Sequence, residues 1–310
     1  MSYPLGLLAD GFGEKIDARW ESNEASEKLF VAYRGDDLVL ALACVDGEPS
    51  WSLGAPSSPE LTTEDLAAVM SPFVALIATT GDPLSCGSLW GSRVLASAFF
   101  DAWLPLLASR GIKAHAAPPV FRAKNSYATR KTLPTSTPTR HMPFAIVPAM
   151  QADTDALADL LREFSVVWGA QLSVDDARAR MGAHIACGEA WFCRAPDGAA
   201  LAFCVVGRAT PRTIAIKNMY VVPDHRRKGV ASALVLGMCR YFLGVSDHGV
   251  EGPLVPLKGV KAQVCLNVAE DHVEELYTKC GFLFGDAREP GSDRQPWFLV
   301  VGQEVVVEQS

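Results

Sequence analysis

In the segment ADTDALADLLREF the apolar residues Leu157, Leu160, Leu161 and Phe164 recur at helical spacing behind Asp153, which has the chemistry of a cap. That helix is predicted to follow a short strand in FAIVPA and to precede a second helix in VDDARARMGAHIA. AWFCR and AALAFCVVGR then predict a hairpin, because the Asp-Gly of APDG between two β-rich runs is a strong turn signal. A strand in TIAIKNMYVV, an almost wholly apolar helix in GVASALVLGMCRYFL, a strand in AQVCLNV, an amphipathic helix in EDHVEELYTKC and strands in FLF and WFLVV complete the second half. The predicted order is β-α-α-β-β-β-α-β-α-β-β.

The first half gives a sparser pattern. EKLFVAYRGDDLVLALACVDG predicts a hairpin turned at Gly35-Asp36, and TTEDLAAVMSPFVALIA a capped helix. LSCGSLWG predicts a strand, and SRVLASAFFDAWLPLLASRG a long helix ended by Gly111. Between Lys124 and Pro143 the sequence concentrates Ser, Thr, Pro and basic residues without a hydrophobic period, as a connector does. The expected organisation is a first domain over 1–123, a linker over 124–143 and a second domain over 144–310.

Composition narrows the class. With 49% hydrophobic and 20% charged residues in 310, the chain reads as globular protein with one large or two medium cores. A net charge of -7 argues against general affinity for nucleic acid or acidic membrane surface, while leaving room for a local anion site. The 8 cysteines form no C-x-x-C pair and the 6 histidines offer no matching spacing, so no metal is expected and the thiols read as buried groups in a reducing compartment. The beginning MSYPLGLLADGFGEKIDARW lacks the pattern of a signal peptide, and no run has the length of a membrane span. The expected location is the cytoplasm.

The chemistry concentrates after Val221, in VVPDHRRKGVASALV. A strand that turns tightly into a helix leaves the first helical N–H groups unpaired, which makes the junction an anion site. Arg226, Arg227 and Lys228 add full charges there, and the small residues Gly229, Ala231 and Ser232 let a phosphate approach the backbone. Neither G-x-x-x-x-G-K-[ST] nor G-x-G-x-x-G is present. The spacing Arg226-x-x-Gly229-x-Ala231 resembles the pyrophosphate signature Q/R-x-x-G-x-G/A of the GNAT superfamily of acyl-CoA N-acyltransferases. LYTKCGF at 276–282 resembles a second element of that family, and the predicted order of elements matches its fold over about residues 144–302.

The resemblance implies an α/β (α+β) fold with a mixed central sheet flanked by helices. The first half loosely echoes the element order. In LSCGSLWGSRVLASAFF it has one cation where the second half has three, so the expectation is a pseudo-tandem protein with a degenerate first unit and one CoA per chain. The implied activity is transfer of an acetyl group from acetyl-CoA to a small-molecule or peptide amine by direct attack. The strand segment Met219, Tyr220 and Val221 would pair with the pantetheine arm and stabilise the oxyanion. Arg226, Arg227, Lys228, Gly229, Val230 and Ala231 would hold the pyrophosphate, with Ser232 adding a hydroxyl. Tyr277 would act as general acid to the departing thiolate, or else pack as a core tyrosine beside Val273 and Leu276.

The pattern departs from the family in two places. Glu270 stands where relatives often keep an Asn that touches the coenzyme, and nearby Asn267 either substitutes for it or serves as a turn residue. Cys265 stands where some relatives keep a Glu base, which leaves the base open between a water and a carboxylate such as Glu189. The acceptor side would be bounded by VWGAQLS and by GDAREPGSDRQP, whose charges balance and select no substrate. The alternative function is a non-catalytic acyl-CoA-binding or regulatory module.

Overall fold

The structure, a computed structural model, describes residues 16–18, 27–45, 50–56, 61–80, 82–135, 143–167, 169–252, 255–292 and 297–308. Its contacts divide the chain into two units, residues 1–124 together with 298–310, and residues 125–297. The expected division ran through 124–143 and gave the final strand to the second half. In the structure the second unit starts within a strand, and the final strand belongs to the first.

The first unit comprises β1 (Ile16–Ala18), β2 (Glu27–Arg34), β3 (Asp37–Val45), β4 (Ser50–Gly54), α1 (Thr63–Thr80), β5 (Ser88–Ser92), α2 (Arg93–Ser109) and β6 (Ala114–Ala116). β7 (Phe121–Ala128) carries the chain into the second unit. The β2–β3 hairpin turns at Gly35-Asp36 as expected, and both long helices form where their apolar spacing put them. β4 was not foreseen. By element order it makes the β4–α1 connection, rather than LSCGSLWGSRVLASAFF, the counterpart of the basic turn in the second half. Phe73, Phe99, Trp103, Leu40 and Leu42 form the fully buried centre of this unit's core.

The second unit runs β8 (Ala145–Pro148), α3 (Thr154–Val167), α4 (Val174–Ala186), β9 (Ala190–Arg194), β10 (Ala200–Gly207), β11 (Thr213–Val221), α5 (Val230–Phe242), β12 (Gln263–Val268) and α6 (Glu274–Lys279). Its strands are ordered β12-β11-β10-β9-β8, antiparallel except for β11 with β12. Each sheet face has its own core. One collects α5 and α6 with Cys204, Ile214, Ile216 and Val221, and the other α3 and α4 with Phe192, Phe203, Val205 and Tyr220. Ten of the thirteen residues of α5 are buried, which explains why its sequence is apolar all round. Each fully buried Leu, Val or Met there contributes about 1.5–3 kcal/mol.

Three expectations are corrected. The strand expected in FLF does not form, because Leu283 spends its backbone on a side chain. Ser126 Oγ donates to its carbonyl at 2.7 Å and accepts from its N–H at 3.1 Å. The helix expected in EDHVEELYTKC is a 3₁₀ turn over Asp271–Val273 followed by the short α6. Part of the expected linker is folded: Arg130 donates to the carbonyl oxygens of Leu243 and Gly244, completing the end of α5. Residues 136–142 lie outside the described residues.

The final strand, β13 (Trp297–Val307), pairs antiparallel with β5 from Val300↔Ser92 to Glu304↔Ser88 and with β6 at Val305↔Ala116. Its β-branched run finds a ladder in the first unit, which is why the division differs from the expected one.

Candidate active site

β11 and β12 pair in parallel only from Thr213↔Gln263 to Ile216↔Leu266, yet β11 continues to Val221. Where the pairing stops, β11 also carries a bulge. Val205 of β10 faces Asn218 while Val206 faces Ile216, so Lys217 is the extra residue. A bulge bends its strand and raises the local twist, which separates β11 from its parallel neighbour. From Lys217 onward one edge of β11 stays with β10 and the other is open.

The open edge presents particular groups. Val222 N–H donates to Leu201 O at 3.0 Å, on the β10 side. Alternation gives Tyr220 N–H the same side and turns the N–H groups of Met219 and Val221 to the open edge. Of the three strand residues expected to meet the pantetheine arm, Met219 and Val221 have their N–H groups on the open edge. Tyr220 instead puts its side chain on the opposite face.

The strand reaches α5 through a 3₁₀ turn, Pro223–His225, and the exposed Arg226–Gly229. Gly229 precedes α5 at φ 85°, a left-handed conformation that glycine adopts without strain, and Arg227 is held at φ 60°, where a non-glycine residue is strained. The first helical bond runs from Ala233 N–H to Gly229 O, and among the described residues the N–H groups of Arg227 through Ser232 have no backbone partner. Val230 is buried, whereas Ala231 and Ser232 are half-buried. Arg226 folds back, its Nε donating to Val221 O at 3.0 Å and its guanidinium standing 5.3 Å over the Tyr220 ring. N–H groups at a helix start, the helix dipole and the exposed Arg227 and Lys228 make up the chemistry that a polyphosphate requires, while Arg226 is turned toward Tyr220.

Tyr277 projects from α6 into the core that also holds Met219, Val221 and Ala231. Its ring meets Phe282 edge-on at 5.9 Å. Burial, followed by the neighbouring Cys204 and Cys280 thiols, pushes its phenol above the ordinary tyrosine value. Cys204 is the cross-strand partner of Met219, so the phenol lies over the strand pair whose open edge carries the Met219 N–H. Tyr277 therefore packs as a core tyrosine over the β10–β11 pair, on the α5 face of the sheet.

The remaining candidates are otherwise engaged. Asn267 Oδ1 accepts from Asn125 at 2.8 Å, and the exposed Glu270 pairs with His272 at 3.1 Å. Cys265 is half-buried on β12 opposite Ala215. Glu189 contacts His184 at 2.9 Å and Lys258 at 3.4 Å. Burial raises its carboxyl, and the His184 hydrogen bond with the Lys258 charge outweighs this and leaves it below the ordinary value. A base should titrate near the working pH, so this environment works against Glu189 in that role. Of the acceptor loops, Glu289 accepts from Thr129 at 3.0 Å, whereas Trp168, Asp293 and Arg294 lie outside the described residues. Six of the cysteines are buried as expected, and Cys187 is exposed. Among the described residues no group of three or more His, Cys, Asp or Glu could hold a metal, and no helix is long and apolar enough to cross a membrane.

Comparison with known proteins bears on the same region. Residues 187–283 match the family model described as "Acetyltransferase (GNAT) domain". The GCN5-related N-acetyltransferase from Sphaerobacter thermophilus is 14% identical, with 93% of this chain and 83% of that chain covered at a TM-score of 0.52. A tandem GNAT protein from the clavulanic acid biosynthesis pathway is 15% identical, with 92% of this chain and 84% of that chain covered at a TM-score of 0.47. No curated protein matches. The matched segment starts directly after α4 and runs through the basic turn and past Tyr277 to Leu283, and with it the second half of the chain contains a GNAT acetyltransferase domain.

Proposed function

We propose that the second unit is an N-acetyltransferase that moves an acetyl group from acetyl-CoA to an amine by direct attack. The observation that carries this reading is the continuity of two unsatisfied backbone surfaces: the open edge of β11 leads straight into the open N-terminus of α5. A pantetheine arm matches the first and a pyrophosphate the second. Arg226, Arg227 and Lys228 supply counter-charge, and Val221 N–H offers the arm a strand-like hydrogen bond.

Met219 N–H is aimed where the thioester oxygen becomes an oxyanion. The amine nitrogen bonds to the carbonyl carbon, the carbon–sulfur bond breaks, the amine sheds its extra proton to solvent, and the thiolate takes a proton from Tyr277. The phenol is protonated at neutral pH and, once it has given up this proton, regains one from solvent. Release of free thiol from acetyl-CoA across a panel of amines tests the reading. Amine-dependent release is expected. Binding of acetyl-CoA without release from any amine would reassign the unit as a coenzyme-binding module, and absence of binding would reject the site.

A further inference from the structure

On the opposite face of β11 lies a pair of side chains that the scheme above does not use. The Tyr220 ring packs with Phe164 at 6.2 Å and Phe203 at 6.3 Å, and its hydroxyl donates to Oε2 of Glu163 at 2.9 Å. Burial, then the Glu163 bond, push the Tyr220 phenol up and outweigh the opposing pull of the Arg226 guanidinium 5.3 Å over its ring, so it stays a donor. Glu163 is exposed, and among the described residues it makes no other hydrogen bond. A carboxylate has two oxygens and about four acceptor positions, so most of its capacity is unspent. Asp159, one turn earlier, is paired with Arg162 at 3.8 Å. Val166 and Val167, three and four residues beyond Glu163, share its helix face and are 62% and 61% exposed.

The two faces divide the reaction. Tyr277 and Met219 belong to the α5 face, so the thiolate leaves on that side. An amine adds to the carbonyl carbon from above or below the thioester plane, and because Tyr277 and its packed core fill the α5 face, the face left to it is that of α3, where Tyr220 follows Met219 directly in the strand. We propose that Glu163 binds the ammonium group of the acceptor, with the Tyr220 hydroxyl fixing the carboxylate, and that the acceptors are cationic primary amines with an apolar body lying on Val166 and Val167. This rests on the acetyltransferase reading for the direction of approach.

Calorimetric titration of the full chain with benzylamine and its neutral isostere benzyl alcohol, at pH 7 and saturating CoA, tests it. Benzylamine is expected to bind about tenfold or more tightly than the alcohol, as a charge-assisted hydrogen bond provides. Glu163→Gln should bring the two within about twofold of each other, and Tyr220→Phe should reduce the preference by less, because the carboxylate remains. Equal affinity in the unaltered protein, including no measurable binding of either compound, overturns the proposal, as does a preference that survives Glu163→Gln. Titration with CoA alone separates the two ideas. Failure to bind CoA alongside intact amine selectivity sinks the acetyltransferase reading only, and normal CoA binding without amine selectivity sinks only the role of Glu163.

Discussion

In the first unit β4 runs into α1 beside its parallel neighbour β5, and in the second β11 runs into α5 beside its parallel neighbour β12. β4 and β5 stay paired from Ser50↔Ser88 to Leu53↔Gly91, almost the whole of β4, whereas β11 parts from β12 after Ile216. Gly91 permits the closure, since a Cβ there would stand 2.7 Å from the carbonyl oxygen of Leu53. The helix starts differ as sharply. Thr62 and Asp65 close α1 on itself: Asp65 Oδ2 accepts from Thr62 N–H at 3.0 Å, and Thr62 Oγ1 accepts from Asp65 N–H at 3.1 Å. The connecting residues APSSPELT contain no Lys or Arg. A carboxylate already lies where a phosphate would go. One order of elements thus gives a sealed junction and an open one, and the difference lies in a few side chains and one bulge.

The comparison is broken most directly at the cations. Arg226→Glu with Lys228→Glu should weaken CoA binding by about a hundredfold or more, as two charge-assisted contacts are worth about 1.5–3 kcal/mol each. The same calorimetry should saturate at one CoA per chain, and saturation at two would mean that the first unit's junction is not sealed. Next in size, Tyr277→Phe should lower turnover by about a hundredfold with coenzyme affinity unchanged. Because the folded pKa of Tyr277 is raised above 10.0, its contribution to stability is full below that pH and is lost as pH rises through the folded value. Turnover should accordingly show no alkaline decline from Tyr277 below about pH 10. Full activity in the Phe variant, with chemistry limiting the rate, would leave Tyr277 as packing alone.

Two smaller effects probe the sealed side. Gly91→Ala should destabilise the protein by about 1–3 kcal/mol, because the methyl group is driven into backbone rather than a movable side chain, without changing CoA affinity. An unchanged unfolding midpoint would show that the closeness of β4 and β5 is not set by Gly91. Thr62→Ala should cost about 1 kcal/mol through loss of the cap. The hydrogen bonds from Thr62, then Arg34, hold the Asp65 carboxyl below its ordinary 3.8, so its stabilisation is present above that value and lost as pH falls through the lowered one. Stability of the Thr62→Ala variant should depend less on pH there, and an unaltered acid limb would deny the cap that role.

The open junction could be read from the chain and the sealed one could not, for physical reasons. Ile214 and Ile216 on one side of Lys217-Asn218, and Met219 and Val221 on the other, face the same core. Two consecutive polar residues between apolar runs shift the alternation by one, so the bulge is written in TIAIKNMYVV. The cations, the glycine and the all-apolar helix were similarly local. WFLVV announces a strand and says nothing about which ladder receives it, because β propensity measures fit to a pleated surface rather than to a partner. Glu163 and Tyr220 are 57 residues apart and Asn125 and Asn267 are 142 apart, so only the folded chain joins them. KNSYA, the end of β7, read as connector because its polar residues give no apolar alternation.

The placement of β13 has a bearing on how the protein is made. The exposed edge of β5 has to wait for residues 298–310, and these leave the ribosome only after all of 125–297 has been synthesised. A growing chain therefore carries an unfinished first unit, with an unpaired sheet edge able to recruit another strand, throughout synthesis of the second unit. The two units share one schedule of assembly, in which the first to begin is the last to be completed.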